Sequence, residues 1–138
     1  MSEFDYNLSI EELEGAIWSE HEYNSHLVKT CHALRKISLR ELTVENIRML
    51  IGQKIGLKYI VSIALEYLEE NPWCSGNFYD GDLFEVVLNI DIVFWREHSD
   101  MLYRLSEVMS RAQSNVNLYN EKISPLWNKI SKEFGWTV

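Results

Sequence analysis

The chain has 138 residues, 46% of them hydrophobic and 25% charged, with 13 basic against 21 acidic side chains and a formal net charge of −8. This is the composition of one folded domain spanning 1–138, and it argues against disorder. The acidic balance disfavours nucleic acid and anionic membranes as partners and favours a basic protein.

The chain opens with "MSEFDYNLSIEELEG", too acidic for a secretory or transit peptide, so the expected location is the cytoplasm. "SIEELEGAIW" starts with capping-box residues, Ser9 and Glu12, and places Ile10, Leu13 and Ile17 at helical spacing. Leu27, Cys31 and Leu34 continue that spacing in a second helix. Thr43 is a good N-cap for a third, with Leu42 and Ile47 placed as a hydrophobic staple and Gly52 at its end. After Gly56, the residues Ile60, Ile63, Ala64, Tyr67 and Leu68 describe one buried helical face, stopped by Asn71-Pro72.

"WCSGNFYDG" reads as a loop, and Asp82 with Glu85 reads as a capping box for the short helix "LFEVVLNI". From Ile92, the positions Met101, Leu102, Leu105, Val108, Met109 and Ala112 predict one long amphipathic helix; "DIVFW" alone is compatible with a strand. Pro125 suits the first turn of a last helix carrying Leu126, Ile130 and Phe134 and closed by Gly135. The expected class is all-α, with five to seven helices.

Charge is segregated along the chain. Residues 1–28 hold seven acids and no base, residues 59–95 another seven acids and no base, and residues 29–58 hold seven bases against two acids. A solvated acidic surface without function is the plain explanation. The stretch "ALEYLEENPWCSGNFYDGDLF" departs from it by setting Trp73, Phe78, Tyr79 and Phe84 among five carboxylates. An aromatic anchor ringed by charge is what a tight protein interface uses, and carboxylates that imitate phosphates suit an inhibitor of a nuclease.

The residue chemistry offers little to catalysis. His21 and His26 are five apart, about 140° around a helix, and so do not share a metal from one face. His32 adjoins Cys31, with no second cysteine at zinc-ligand spacing. "DGD" at 80–82 lacks the remaining ligands of a calcium loop, and "IGQKIG" lacks the ending of a phosphate loop. No nucleophile elbow is present, and two cysteines are too few for a disulfide framework. The expectation is a protein that is no enzyme, with no metal and no cofactor.

The ordered set Leu42 to Glu45, Ile51 to Gln53, Ile55 to Leu57, Glu66 to Pro72 and Tyr79 to Phe84 resembles the contact-dependent growth inhibition (CDI) immunity proteins. The resemblance covers residues 25–90. Phe84 departs from it where an aliphatic residue is expected, and Ser62 where a proline is expected. It implies a cytosolic antidote that binds the C-terminal toxin domain delivered by a neighbouring cell, as a monomer in a 1:1 non-catalytic complex. An RNase or another nuclease is the expected toxin. Its expected contacts are Glu66, Glu69, Glu70, Trp73, Tyr79, Asp80 and Glu85, with Glu11, Glu12 and Glu14 of the first helix as a second surface. Two rivals stand beside it: an acidic scaffold or regulatory subunit that homodimerises through Leu102, Leu105 and Met109, and a metal-dependent hydrolase using His26, His32 and nearby acids.

Overall fold

The computed structural model describes residues 4–18, 25–113 and 119–135. Among these, the chain is all-α, with eight α-helices, one 3₁₀ turn and one π turn. The helices are α1 (Ile10–Glu14), α2 (His26–Leu34), α3 (Val44–Gly52), α4 (Leu57–Glu70), α5 (Asp82–Leu88), α6 (Ile92–Glu97), α7 (Ser99–Ala112) and α8 (Ser124–Glu133). The 3₁₀ turn is Leu39–Glu41 and the π turn is Tyr119–Ile123.

Local sequence explains most of the boundaries. Ser9 and Glu12 form the capping box of α1, and Thr43 caps α3 in a second box closed by Asn46. Asn71 is extended ahead of Pro72, which ends α4, and Pro125 lies in the first turn of α8. Two sequence expectations fail here. α1 stops at Glu14, so Ile17 falls beyond the helix and is 81% exposed rather than part of a buried face. The long helix expected from Ile92 is two: His98 leaves the helical region (φ −133, ψ 61). Its ring stacks on Phe94 at 4.2 Å, with Nδ1 2.9 Å from the Phe94 carbonyl oxygen, and that contact fixes the break. "DIVFW" lies in α6 and its Asp91 cap, not in a strand.

α4 is the centre of the core and packs on α3, α5 and α7. Ile60 to Leu65 are all buried, so this helix is covered on every side through its middle turns, beyond the single face that periodicity suggests. Gly56 precedes it with φ +63, and a Cβ there would stand 2.9 Å from Ile10 Cδ1; its missing side chain is what lets α1 seat against the start of α4. Leu102, Leu105 and Met109, the seam of the homodimer reading, are 2%, 0% and 3% exposed. They fill the chain's own core and offer no face to a second copy. Among the described residues, no helix is long and apolar enough to cross a membrane.

The charge segregation along the chain does not survive folding. Arg35, buried at 2% exposure, pairs with Glu14 at 2.7 Å, donates to the Ala16 carbonyl at 2.9 Å, and stacks on Trp18 at 3.8 Å. Arg104 of α7 reaches back to Glu69 of α4 at 2.8 Å. Burial of Arg35 at this depth is tolerated because its guanidinium finds a carboxylate and a carbonyl.

Candidate functional site: a loop tied to two carboxylates

The loop from Asn71 to Gly81 connects α4 to α5, and buried or half-buried groups at both its ends determine its shape. Trp73 packs edge-on against Phe84, with ring centroids 5.7 Å apart. It also lies against Gly81, where a Cβ would come 2.9 Å from Trp73 Cε3 and where φ is +87, so no other residue fits without strain. Trp73 is a half-buried lid on the core rather than a free aromatic anchor.

Asp82 carries a role that the sequence expectation misplaced. It is the first residue of α5, not its cap, and the capping box with Glu85 does not form; Gly81 occupies the cap position. The Asp82 side chain is instead buried and turned back into the loop. Its Oδ1 accepts the Gly76 N–H at 2.6 Å and its Oδ2 accepts the Phe78 N–H at 3.1 Å. Bonds to a charged acceptor are about twice as strong as neutral ones, so one side chain holds both halves of the loop.

Glu45 of α3 supplies the second anchor. Its Oε1 accepts the Asn77 N–H at 2.9 Å and Arg48 Nε at 2.7 Å, while Oε2 accepts Arg48 Nη2 at 2.6 Å. The Arg48 hydrogen bonds hold the Glu45 carboxyl below its usual range. Arg48 is thereby fixed, with Nε 4.0 Å from Asp82 and the guanidinium 4.5 Å from the Phe78 ring centre. The sequence held one faint sign of this anchor, Glu45 and Arg48 three apart on a helix; the 32-residue reach to Asn77 left none.

Held this way, the loop presents Phe78 at 68% and Tyr79 at 41% exposure, with Asp80 exposed beside them. Tyr79 Oη donates to Glu85 at 2.7 Å, and chiefly that bond pushes the phenol up to about 12, so it stays a donor across the physiological range. The Lys122 ammonium, from the π turn, sits 4.4 Å over the Tyr79 ring. A groove of about 320 Å³ runs between Arg48, Phe78, Tyr79, Asp82, Glu85 and Asn89.

The remaining acids lie in other surroundings. Glu66 accepts the Tyr6 hydroxyl at 2.7 Å. Glu69 takes two bonds from Arg104, at 3.1 and 2.8 Å, which hold its carboxyl below the usual range, and Arg111 donates to its backbone carbonyl. Arg104 also donates to Ser62 Oγ at 3.2 Å, a contact that a proline at 62 would not offer. Glu70 is exposed at the end of α4. In α1, Glu12 closes the capping box and Glu14 pairs with Arg35, while Glu11, just before them, is half-buried. The structure therefore joins Tyr79, Glu85 and Asp80 to one loop face, ties Glu66 and Glu69 into the packing around α4 and α7, and leaves the α1 acids in a third place.

Among the described residues, no group of three or more His, Cys, Asp or Glu side chains is arranged to hold a metal ion. His26 bonds Thr30 at 3.3 Å and the His32 ring lies 4.9 Å edge-on to Trp18, while His21 lies outside the described residues. Burial raises the Cys31 thiol and pushes Cys74 up to about 11, far from thiolate chemistry at neutral pH.

Comparison with known proteins found no match among curated proteins and none among solved structures. The family model described as CDI immunity proteins matches residues 12–105, which include α2 to α6, the first half of α7 and the whole 71–81 loop. That span is more than half of the chain, and the chain belongs to the family of CDI immunity proteins.

Proposed function

We propose that this protein is a cytoplasmic antidote that binds the toxin domain of its own CDI system and blocks it as a 1:1, non-catalytic inhibitor. The toxin is a nuclease in this reading, an RNase first. Membership of the immunity family is the observation that carries the proposal. The net charge of −8 supports a basic target, since complementary fields raise association rates and disfavour wrong partners.

The proposed face is the 71–81 loop with α5: Phe78 and Tyr79 as aromatic contacts, with Asp80, Glu85 and the nearby Glu70 as acidic groups around them. Glu45 and Asp82 already order this loop, so little conformational entropy remains to be lost on binding. Trp73 supports the face from beneath, and Glu66 and Glu69 support α4, while the acids of α1 form a separate second surface.

Calorimetry against the C-terminal toxin domain of the matching CDI system tests the proposal. Tight 1:1 binding that weakens as salt rises is expected, and Asp80→Lys with Glu70→Lys should slow association in stopped flow. Absence of binding would overturn the antidote reading. Binding with unchanged kinetics in the double variant would move the interface to another surface.

A further inference from the structure

The loop face carries two exposed aromatic rings, and each holds a cation from the chain itself. The two are held very differently. Arg48, over Phe78, is gripped by both oxygens of Glu45 and stands 4.0 Å from Asp82; it is part of the framework. Lys122, over Tyr79, is exposed and makes no hydrogen bond or ion pair among the described residues. Among the described residues, the ring face alone holds it. The turn that presents it, Tyr119–Ile123, is of the π type, a rare form that recurs at functional sites.

The ring beneath Lys122 is well built for a cation. Tyr79 donates its hydroxyl to Glu85 at 2.7 Å, which fixes the ring plane and adds electron density to it. The Glu85 carboxylate stays at the rim, and Asp80 is exposed on the adjacent residue. An ammonium or guanidinium over such a ring gains from the quadrupole and from both carboxylates.

We infer that the Tyr79 ring, with Glu85 and Asp80, is a seat for one lysine or arginine side chain of the toxin, and that Lys122 occupies this seat in the free protein until the partner's cation displaces it. This rests on the antidote reading and deepens it. Lys122 is then a built-in competitor. It keeps an exposed aromatic and acidic patch covered while no toxin is present, and a partner that lacks a cation at this point fails to displace it. The seat thus contributes to specificity as well as affinity.

Displacement has a measurable consequence. A lysine held on an exposed ring lowers the apparent affinity of the seat by the strength of its own contact, roughly two- to fivefold for an exposed cation–π pair. Lys122→Gln should therefore tighten binding of the cognate toxin domain by about that factor. Neutralising any lysine makes the protein more acidic and speeds association with a basic partner, so the decisive comparison is a double-mutant cycle. Tyr79→Leu should weaken binding, and Lys122→Gln added to Tyr79→Leu should give no tightening beyond that of a control, Lys29→Gln on α2. Both positions are on the surface, and thermal unfolding of each variant checks that the fold is intact.

Tightening that vanishes in the Tyr79→Leu background supports the seat. Equal tightening in both backgrounds, or none in either, overturns it and leaves the antidote reading standing. Failure of the unaltered protein to bind the toxin domain overturns both.

Discussion

Asp82→Asn is the substitution that bears most directly on how the candidate face is made. The native carboxylate uses one oxygen for the Gly76 N–H at 2.6 Å and the other for the Phe78 N–H at 3.1 Å. Asparagine has the same shape but only one acceptor, so whichever way the amide is turned, one loop N–H faces another donor. Hydrogen bonds to a charged acceptor contribute about 1.5–3 kcal/mol, and the surviving bond becomes a neutral one of about 1 kcal/mol. Phe78 is exposed and Gly76 half-buried, so water replaces part of the loss, and the expected cost is about 2 kcal/mol. For a chain of this size that is a drop in Tm on the order of 7 °C. Urea unfolding followed by tryptophan fluorescence measures the total, and amide exchange locates it. The Gly76 and Phe78 amides should exchange roughly 30-fold faster if about 2 kcal/mol is lost from loop closure. Asp80→Asn, two residues earlier and exposed, is the control and should lie within about 0.5 kcal/mol of the parent. Stability within that margin for Asp82→Asn, with both amides as protected as before, would refute the claim that this carboxylate organises the loop.

Gly81→Ala should cost about 1–3 kcal/mol, because the residue sits at φ +87 and its new Cβ would press on Trp73 at 2.9 Å; an unchanged urea midpoint would show that the Trp73 lid yields freely. The Glu69–Arg104 pair predicts a pH dependence whose sign follows from a depressed folded-state value. Its stabilisation is complete above the ordinary glutamate value of about 4.3 and is lost as pH falls through the lower folded value. The slope of unfolding free energy between about pH 3 and about pH 5 should therefore be shallower in Arg104→Met than in the parent, and equal slopes would count against the pair.

The surroundings of the acids bear on which charge reversals are informative. Glu69→Lys would set a lysine beside Arg104 and disturb α4 against α7, so it mixes a folding effect into any binding result. Asp80 and Glu70 are exposed and keep the two effects apart.

Sequence by itself determined the class of fold and most of its punctuation. Periodic apolar spacing, the caps at Ser9 and Thr43, and the stops at Asn71-Pro72 and Pro125 act over three or four residues, so they are readable without a fold. The ordered motifs between Leu42 and Phe84 also carried the family, since they belong to one contiguous stretch. Tertiary structure alone decided which charges are free. Glu14, Glu45 and Glu69 look alike in the sequence, yet each is spoken for by an arginine, two of them from 21 and 35 residues away. Two nearer contacts were hidden for another reason, that a side chain's choice among competing local partners is made by packing: the His98 ring folds back on Phe94 and splits the helix, and Asp82, whose spacing to Glu85 imitates a cap, gives its oxygens to loop amides. Lys122 over Tyr79, 43 residues apart, completes the pattern. Helix signals are local because the backbone bonds within itself, whereas charges and rings pair with whatever the packing of α4 against its neighbours brings within reach.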